Sequence, residues 1–325
     1  MKPNRMQCSS VVAALAAVLF LSSCSQAGTQ HADAKFDTSV KHPAYGPNTT
    51  PRVVIDQAHN NFHTATGRYK PFADLIRNDG YGVREGTQRF AADYLHTLDV
   101  LVISNAFGPE EARDSTAFAS EEIAAVRDWV KNGGSLLLIA DHWPCGGAAA
   151  KLSEAFGVDM AKGVTEDTVQ CAPSTSGSGS KDPSALLFTR GNGLLLDHPI
   201  TNGRKPEDRV ATVETFTGQS LSVPPGATAF LKLSPTASDR APVIKEERVG
   251  QDVRVHVNYG DPVPAAGRAQ GVALEFGKGR VVVLGEAAMM TAQISGEGEA
   301  FGMNVPGTDN KKLALNIMHW LSRLD

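Results

Sequence analysis

Three short runs, Val53-Val54-Ile55, Val100-Leu101-Val102-Ile103 and Leu136-Leu137-Leu138-Ile139-Ala140, constrain the fold more than any other feature, because each is apolar without alternation. A strand with apolar side chains on both faces must be covered on both, the condition of a parallel sheet packed between helices. The segments between these runs carry the helical period. Phe72, Leu75 and Ile76 share one face over residues 69–78, where Asn78-Asp79-Gly80 stops the helix. Ile123, Val126, Trp129 and Val130 share another, on a helix that Ser120 caps, Glu121 and Glu122 favour at its positive end and Asn132-Gly133-Gly134 closes. A strand is predicted at 81–87 and another at 280–284, the latter followed by a helix with Leu313, Ile317, Trp320, Leu321 and Leu324 on one face. The fold class predicted is α/β, a doubly wound, mostly parallel sheet.

The alternation stops after a helix predicted at 148–156. A Ser/Gly-rich surface loop at 173–183 leads into β-like segments at 186–188, 210–216, 229–233 and 253–257, which predict an antiparallel β-rich insertion over about 172–275. The domain containing it spans 51–325. Residues 24–50 are polar, lack hydrophobic periodicity and carry Pro43, Gly46 and Pro47, so a flexible tether is expected there.

Ahead of the tether, Lys2 and Arg5 precede an apolar run from Val11 to Leu21 that is too short to span a bilayer, and the run closes on Leu21-Ser22-Ser23-Cys24. That arrangement resembles a bacterial lipoprotein signal peptide over residues 1–23. The resemblance implies cleavage before Cys24, a lipid (diacylglyceryl and palmitate) on that cysteine and, with Ser25 next to it, sorting to the outer membrane facing the periplasm. The membrane would then be one partner, through the Cys24 anchor.

Loss of Lys2 and Arg5 with no acid takes the formal charge from −4 to −6, and no Lys/Arg cluster supplies the footprint that a phosphate backbone requires, so nucleic acid is excluded as a partner. Cys8 goes with the signal and Cys24 is lipidated, which leaves Cys145 and Cys171 as an even pair in an oxidising compartment. A Cys145–Cys171 disulfide is expected.

In an open parallel sheet the binding crevice lies beyond the carboxyl ends of the strands. The first strand ends in Asp56 and runs into His59, Asn60 and His63; the third ends at Asn105, the fourth at Asp141-His142 and the last at Glu286. These eight residues, Asp56, His59, Asn60, His63, Asn105, Asp141, His142 and Glu286, form the candidate ligand-binding crevice. Asp56, His59 and His63 have the spacing D-x2-H-x3-H and, with Asp141 and His142, could hold a divalent metal that activates water; equally, Asp56 could cap its own loop and the histidines bond neighbouring strand ends. Glu286 or Asp141 paired with His142 offers metal-free acid/base chemistry. Elsewhere, His319 and Trp320 read as flank and packing residues of the last helix, and His198-Pro199-Ile200-Thr201-Asn202-Gly203 as a turn.

The stretch D-x-x-H-N-N-F-H-T from Asp56, I-A-D-H-W-P from Ile139, G-R-V-V-V-L-G-E-A-A-M from Gly279 and N-x-x-H-W-L from Asn316 resemble the class I glutamine amidotransferase-like superfamily, in its secreted and lipoprotein branch. The resemblance covers residues 52–156 and 275–324 and implies a flavodoxin-like fold. Members with glutaminase activity place a cysteine in G-x-C-x-G and pair it with a late H-x-E. Here Asp141 and His142 stand at the elbow, Cys145 lies beyond it, and His198-Pro199-Ile200 lacks the acid, so glutaminase chemistry is not expected. Three functions follow: an envelope lipoprotein domain binding a small polar ligand, glycan or protein partner; a hydrolase, metal-assisted or not, using the Asp/His/Glu cluster; and a scaffold subunit of an envelope complex.

Overall fold

The computed structural model describes residues 18–19, 30–173, 180–249 and 252–324. The lipobox and Cys24 lie outside the described residues. Among the described residues, no helix is long and apolar enough to cross a membrane.

The centre is a seven-stranded mixed sheet of β1 (Arg52–Asp56), β2 (Gly82–Gly86), β3 (Val100–Ser104), β4 (Ser135–Ile139), β5 (Thr228–Lys232), β6 (Ala269–Phe276) and β7 (Gly279–Leu284), in the spatial order β5-β6-β7-β4-β3-β1-β2. Strands β2, β1, β3, β4 and β7 are parallel; β6 runs antiparallel to β7, and β5 to β6. Every residue of β3 and β4 is buried, as their uninterrupted apolar sequences require.

The period of two then sorts the strands' side chains. Val53, Ile55, Val100, Val102, Leu137, Ile139, Val282 and Leu284 pack with α1 (Lys70–Asn78) and the C-terminal helix α4 (Asn310–Leu321) on one face. Val54, Leu101, Ile103, Leu136, Leu138, Val281 and Val283 pack with α2 (Ser120–Lys131) and α3 (Cys145–Glu154) on the other. Successive helices α1 and α2 therefore leave the sheet on opposite sides of the β1/β3 pair. In α1, Pro71 opens the helix, and Phe72, Leu75 and Ile76 are fully buried, each worth about 1.5–3 kcal/mol of transfer free energy. Helix α2 is capped from Ala119 rather than Ser120: Ala119 N donates to the Glu122 carboxylate at 3.0 Å.

Two departures from the sequence reading are structural. The antiparallel insertion is partly absorbed into the main sheet as β5 and β6, while its remaining strands make small antiparallel sheets and a long hairpin, Pro242–Val249 with Asp252–Tyr259. Residues 30–50 do not trail as a tether. His31 and Ala32 pair with Ile294 and Gln293, Ala44 N donates to Asp79 Oδ1 at 2.8 Å, Lys311 Nζ donates to Asp37 O at 2.6 Å, and Phe36, Val40 and Tyr45 rest on the core. These apolar residues stand singly in a polar stretch, yet each packs against the core.

Candidate functional site

The carboxyl ends of β1, β3, β4 and β7 carry the predicted polar residues, which separate into two groups. The first centres on His59, fully buried in the loop after β1. Its Nδ1 donates to Asp56 Oδ2 at 2.8 Å and its Nε2 to Glu122 Oε1 at 3.0 Å, while Phe90 and Phe118 pack on the ring. Burial opposes a charge on this imidazole, but the bonds to Asp56 and Glu122 outweigh it and hold the pKa above the ordinary value. Glu122 is itself kept low: burial acts against the carboxylate, and the amides of Ala119 and Phe90, with His59, overcome it. Arg89 closes the group at 3.2 Å from Glu122.

The second group lies on β3, β4 and β7. Asn105 adopts a left-handed backbone, φ 46°, which aims its amide at Asp141: Nδ2 donates to Oδ2 at 2.7 Å, and Asp141 N donates back to Asn105 Oδ1 at 2.9 Å. Asp141 Oδ1 accepts from Ala287 N at 2.6 Å, and the neighbouring Glu286 accepts from Ala288 N and Met289 N at 2.6 and 2.8 Å. Burial raises the pKa of Asp141 and, with the Asp141 charge adding to it, pushes Glu286 well above the ordinary carboxylate range. His63 is buried against the Tyr69 ring, centroids 4.7 Å apart, with Nδ1 3.4 Å from Ser104 Oγ. Burial and the nearby Arg68 charge drive its pKa down to about 3.

Backbone bonds join the groups: Phe62 N donates to Asn105 O at 2.9 Å and Phe107 N to His59 O at 3.1 Å. Several residues at this edge stay partly open. Phe62 is 47% exposed with Arg68 stacked 4.3 Å from its centroid, Asn60 is exposed at φ 51°, and His142 lies half-buried with the Tyr259 hydroxyl 3.3 Å from its Nδ1. Tyr259 comes from the base of the long hairpin, so the insertion contributes to the rim.

Sequence reasoning missed the site roles of Glu122, Gln219 and Tyr259. Gln219 anchors the elbow, donating Nε2 to Ala140 O and Asp141 O at 2.9 Å each. A Cβ on Gly285 would lie 2.1 Å from Gln219 O, so glycine is required where the strand carrying Glu286 meets that segment. Glu122 was visible only as a helix-start acid; its reach to His59 crosses from another element.

The metal alternative finds no support, and the disulfide expectation is corrected. Among the described residues, no three His, Cys, Asp or Glu side chains are arranged to hold a metal ion. Both His59 nitrogens donate to carboxylates and so offer no lone pair, while His63 faces Ser104. The Cys145–Cys171 disulfide is not formed: both thiols are free and buried, Cys145 at the start of α3 beneath the sheet's α2/α3 face and Cys171 on a strand opposite Leu186. Burial, reinforced by the Asp141 charge, pushes the Cys145 thiol well above its ordinary pKa, so it is no activated nucleophile.

No family model matches the chain, and no curated protein matches it. Solved structures do. The mmIFT52 N-terminal domain is similar at TM-score 0.54 and 13% identity, covering 83% of this chain and 97% of its own. A ThuA-like protein from Bacteroides uniformis, with 14% identity over 87% of this chain and 93% of its own, and a GMP synthase-like protein from Thermoplasma acidophilum, with 11% over 85% and 95%, are neighbours at TM-score 0.41. At 13% identity the likeness to the mmIFT52 domain is one of fold alone.

Proposed function

We propose that the chain is a cell-envelope lipoprotein anchored through Cys24, whose domain is a flavodoxin-like, amidotransferase-like α/β fold that binds a glycan or other small polar ligand at the carboxyl edge of its sheet, without glutaminase activity. The observation that carries this reading is the division of labour at that edge. Asp56, His59, Asp141 and Glu286 are bonded to one another, to neighbouring side chains or to backbone amides, whereas the groups left partly open are the Phe62 ring, the His142 imidazole, whose Nδ1 meets Trp143 O and the Tyr259 hydroxyl, and Tyr259 itself. An apolar ring beside polar hydrogen-bonding groups suits the alternating faces of a sugar. The buried, high-pKa thiol of Cys145 argues against acyl chemistry at the elbow.

The test is titration of the soluble protein starting at Ser25 with chitooligosaccharides and acidic oligosaccharides, followed by amide NMR. Saturable shifts around Asn105 and His142 that vanish in Phe62→Ala and His142→Ala support the reading; shifts unaffected by both substitutions overturn it. For the anchor, a wild-type protein without lipid on Cys24 by mass spectrometry would refute the lipoprotein assignment.

Hydrolysis is a second reading, favoured by one observation: two buried carboxyls, Asp141 and Glu286, follow the adjacent strands β4 and β7, and the Asp141 charge adds to burial in raising the Glu286 pKa. Oligosaccharide cleavage by the wild type that is lost in Glu286→Gln would replace binding with catalysis.

A further inference from the structure

The loop joining β1 to α1 delivers Arg68 to the same edge of the sheet. The residue is partly buried, and its guanidinium sits over the Phe62 ring, 4.3 Å from the centroid. Among the described residues it forms no hydrogen bond and no ion pair: burial acts on this cation, lowering its pKa, and no carboxylate charge offsets the effect. The neighbouring His63 ring is neutral, since burial first and then the Arg68 charge hold its pKa down to about 3. The N–H donors of the guanidinium therefore lack a protein acceptor. The loop that carries it is fixed without any occupant. Phe62 N donates to Asn105 O at 2.9 Å, Gly67 N and Tyr69 N donate to Thr64 O at 3.1 and 3.2 Å, Thr64 Oγ1 accepts from Gly67 N at 3.0 Å, and the Tyr69 hydroxyl donates to Ala287 O at 3.0 Å.

We propose that Arg68 reads a carboxylate on the ligand of the crevice, which makes that ligand an acidic, uronate-type oligosaccharide; the inference rests on the crevice being the ligand site. A guanidinium presents its donors in a planar fork that matches a carboxylate with two parallel bonds. A cation partly withdrawn from water without a counter-ion carries a desolvation cost, and a ligand carboxylate relieves it. Because the Phe62 ring already holds the side chain, little rotamer freedom is lost on binding. The exposed part of that ring is left to the C–H face of a sugar. His142 supplies the complementary polarity. Its Nδ1 lies 2.8 Å from Trp143 O, and a carbonyl can only accept, so in the neutral ring Nδ1 carries the proton and Nε2 offers a lone pair to a sugar hydroxyl. The acids at this edge do not oppose the ligand as free carboxylates would: Asp141 is engaged by Asn105 Nδ2 and Ala287 N, and Glu286 by Ala288 N and Met289 N.

The experiment titrates the soluble chain starting at Ser25 with tetragalacturonate and with its fully methyl-esterified, neutral form at matched ionic strength, following the amides around Asn105 and His142 and the Arg68 Nε–H resonance by 15N NMR. The acid form should bind about tenfold more tightly than the ester, the weight of one charge-assisted hydrogen bond, and should move the Arg68 resonance. The preference should shrink as sodium chloride is added. Arg68→Gln should cut affinity for the acid about tenfold and for the ester far less, so that the two forms bind alike. Arg68→Lys keeps the charge without the fork and should retain only part of the preference. Equal affinity for acid and ester in the wild type, or an equal loss for both in Arg68→Gln, overturns the proposal and leaves the crevice as a site for neutral ligands. Absence of shifts at Asn105 and His142 with either form overturns the crevice reading, and this inference with it.

Discussion

Asn105 and Asp141 grip each other across the ends of two adjacent parallel strands, side-chain amide to carboxylate in one direction and backbone amide to side-chain oxygen in the other. The pair turns a left-handed residue at the end of β3 into the positioning device for the elbow after β4. Asn is suited to that backbone region because its short polar side chain offsets the steric cost. In Asn105→Ala both bonds are lost and the strain is retained. A loss of about 2–4 kcal/mol in urea unfolding is expected; a loss below about 0.5 kcal/mol would show that the pair does not hold the elbow.

His59 is a buried bridge between two carboxylates rather than an available base. His59→Ala leaves Asp56 and Glu122 facing each other without their cation, with an expected cost of about 3–5 kcal/mol. Glu122→Gln keeps a partner for the ring and removes one charge, so it should cost less. A double-mutant cycle between His59 and Glu122 measures their coupling. Independent, additive effects would reject the bridge.

The two remaining cysteines of the proposed mature chain, Cys145 and Cys171, are buried and free. Native protein should therefore bind no thiol reagent quickly at neutral pH, Cys145 being the slower because burial and Asp141 hold its proton. Unfolding without reductant should expose both to alkylation. Recovery of an intact 145–171 crosslinked peptide instead would reject the reduced state.

Much of the parallel sheet was legible because its signal is local: uninterrupted apolar runs for β3 and β4, and helical spacing in α1 and α2. The strand-end rule also located Asp56, Asn105, Asp141 and Glu286 on one edge without any knowledge of side-chain contacts. What it could not supply was pairing. Glu122 meets His59 and Tyr259 meets His142 across long separations, from elements whose own periodicity says nothing of those contacts. A polar residue at a strand end has the same sequence signature whether both its nitrogens are bonded in the interior, as those of His59 are, or it stays half-buried with Nδ1 against Trp143 O and the Tyr259 hydroxyl, as His142 does. The arm over residues 30–50 was missed for a related reason: single apolar side chains such as Phe36 and Tyr45 can pack on the core without forming a periodic run.

The opposing protonation preferences at this edge predict a specific pH dependence of stability. His63 has its folded pKa lowered to about 3, so below an unfolded value near 6.5 the unfolded chain binds a proton that the folded chain refuses. Its contribution therefore falls with pH through that window, by up to about 1.4 kcal/mol per unit. Glu286 and Asp141 have raised values, so their preference for the folded state is fully present below the ordinary carboxylate pKa and is lost as pH rises through their folded values. His59, raised by its two carboxylates, likewise loses its contribution on the alkaline side, whereas Glu122, which is lowered, loses its own only as pH falls through its folded value. Between about pH 6.5 and 4.5 His63 thus works against the acid pair. His63→Phe preserves a ring against Tyr69 and removes the titration, so its urea midpoint should decline less than that of the wild type, or rise, as pH drops through this interval. Glu286→Gln should reduce the loss that sets in as pH rises above the ordinary carboxylate range. Parallel pH profiles for His63→Phe and the wild type would mean that this imidazole is not held neutral by burial.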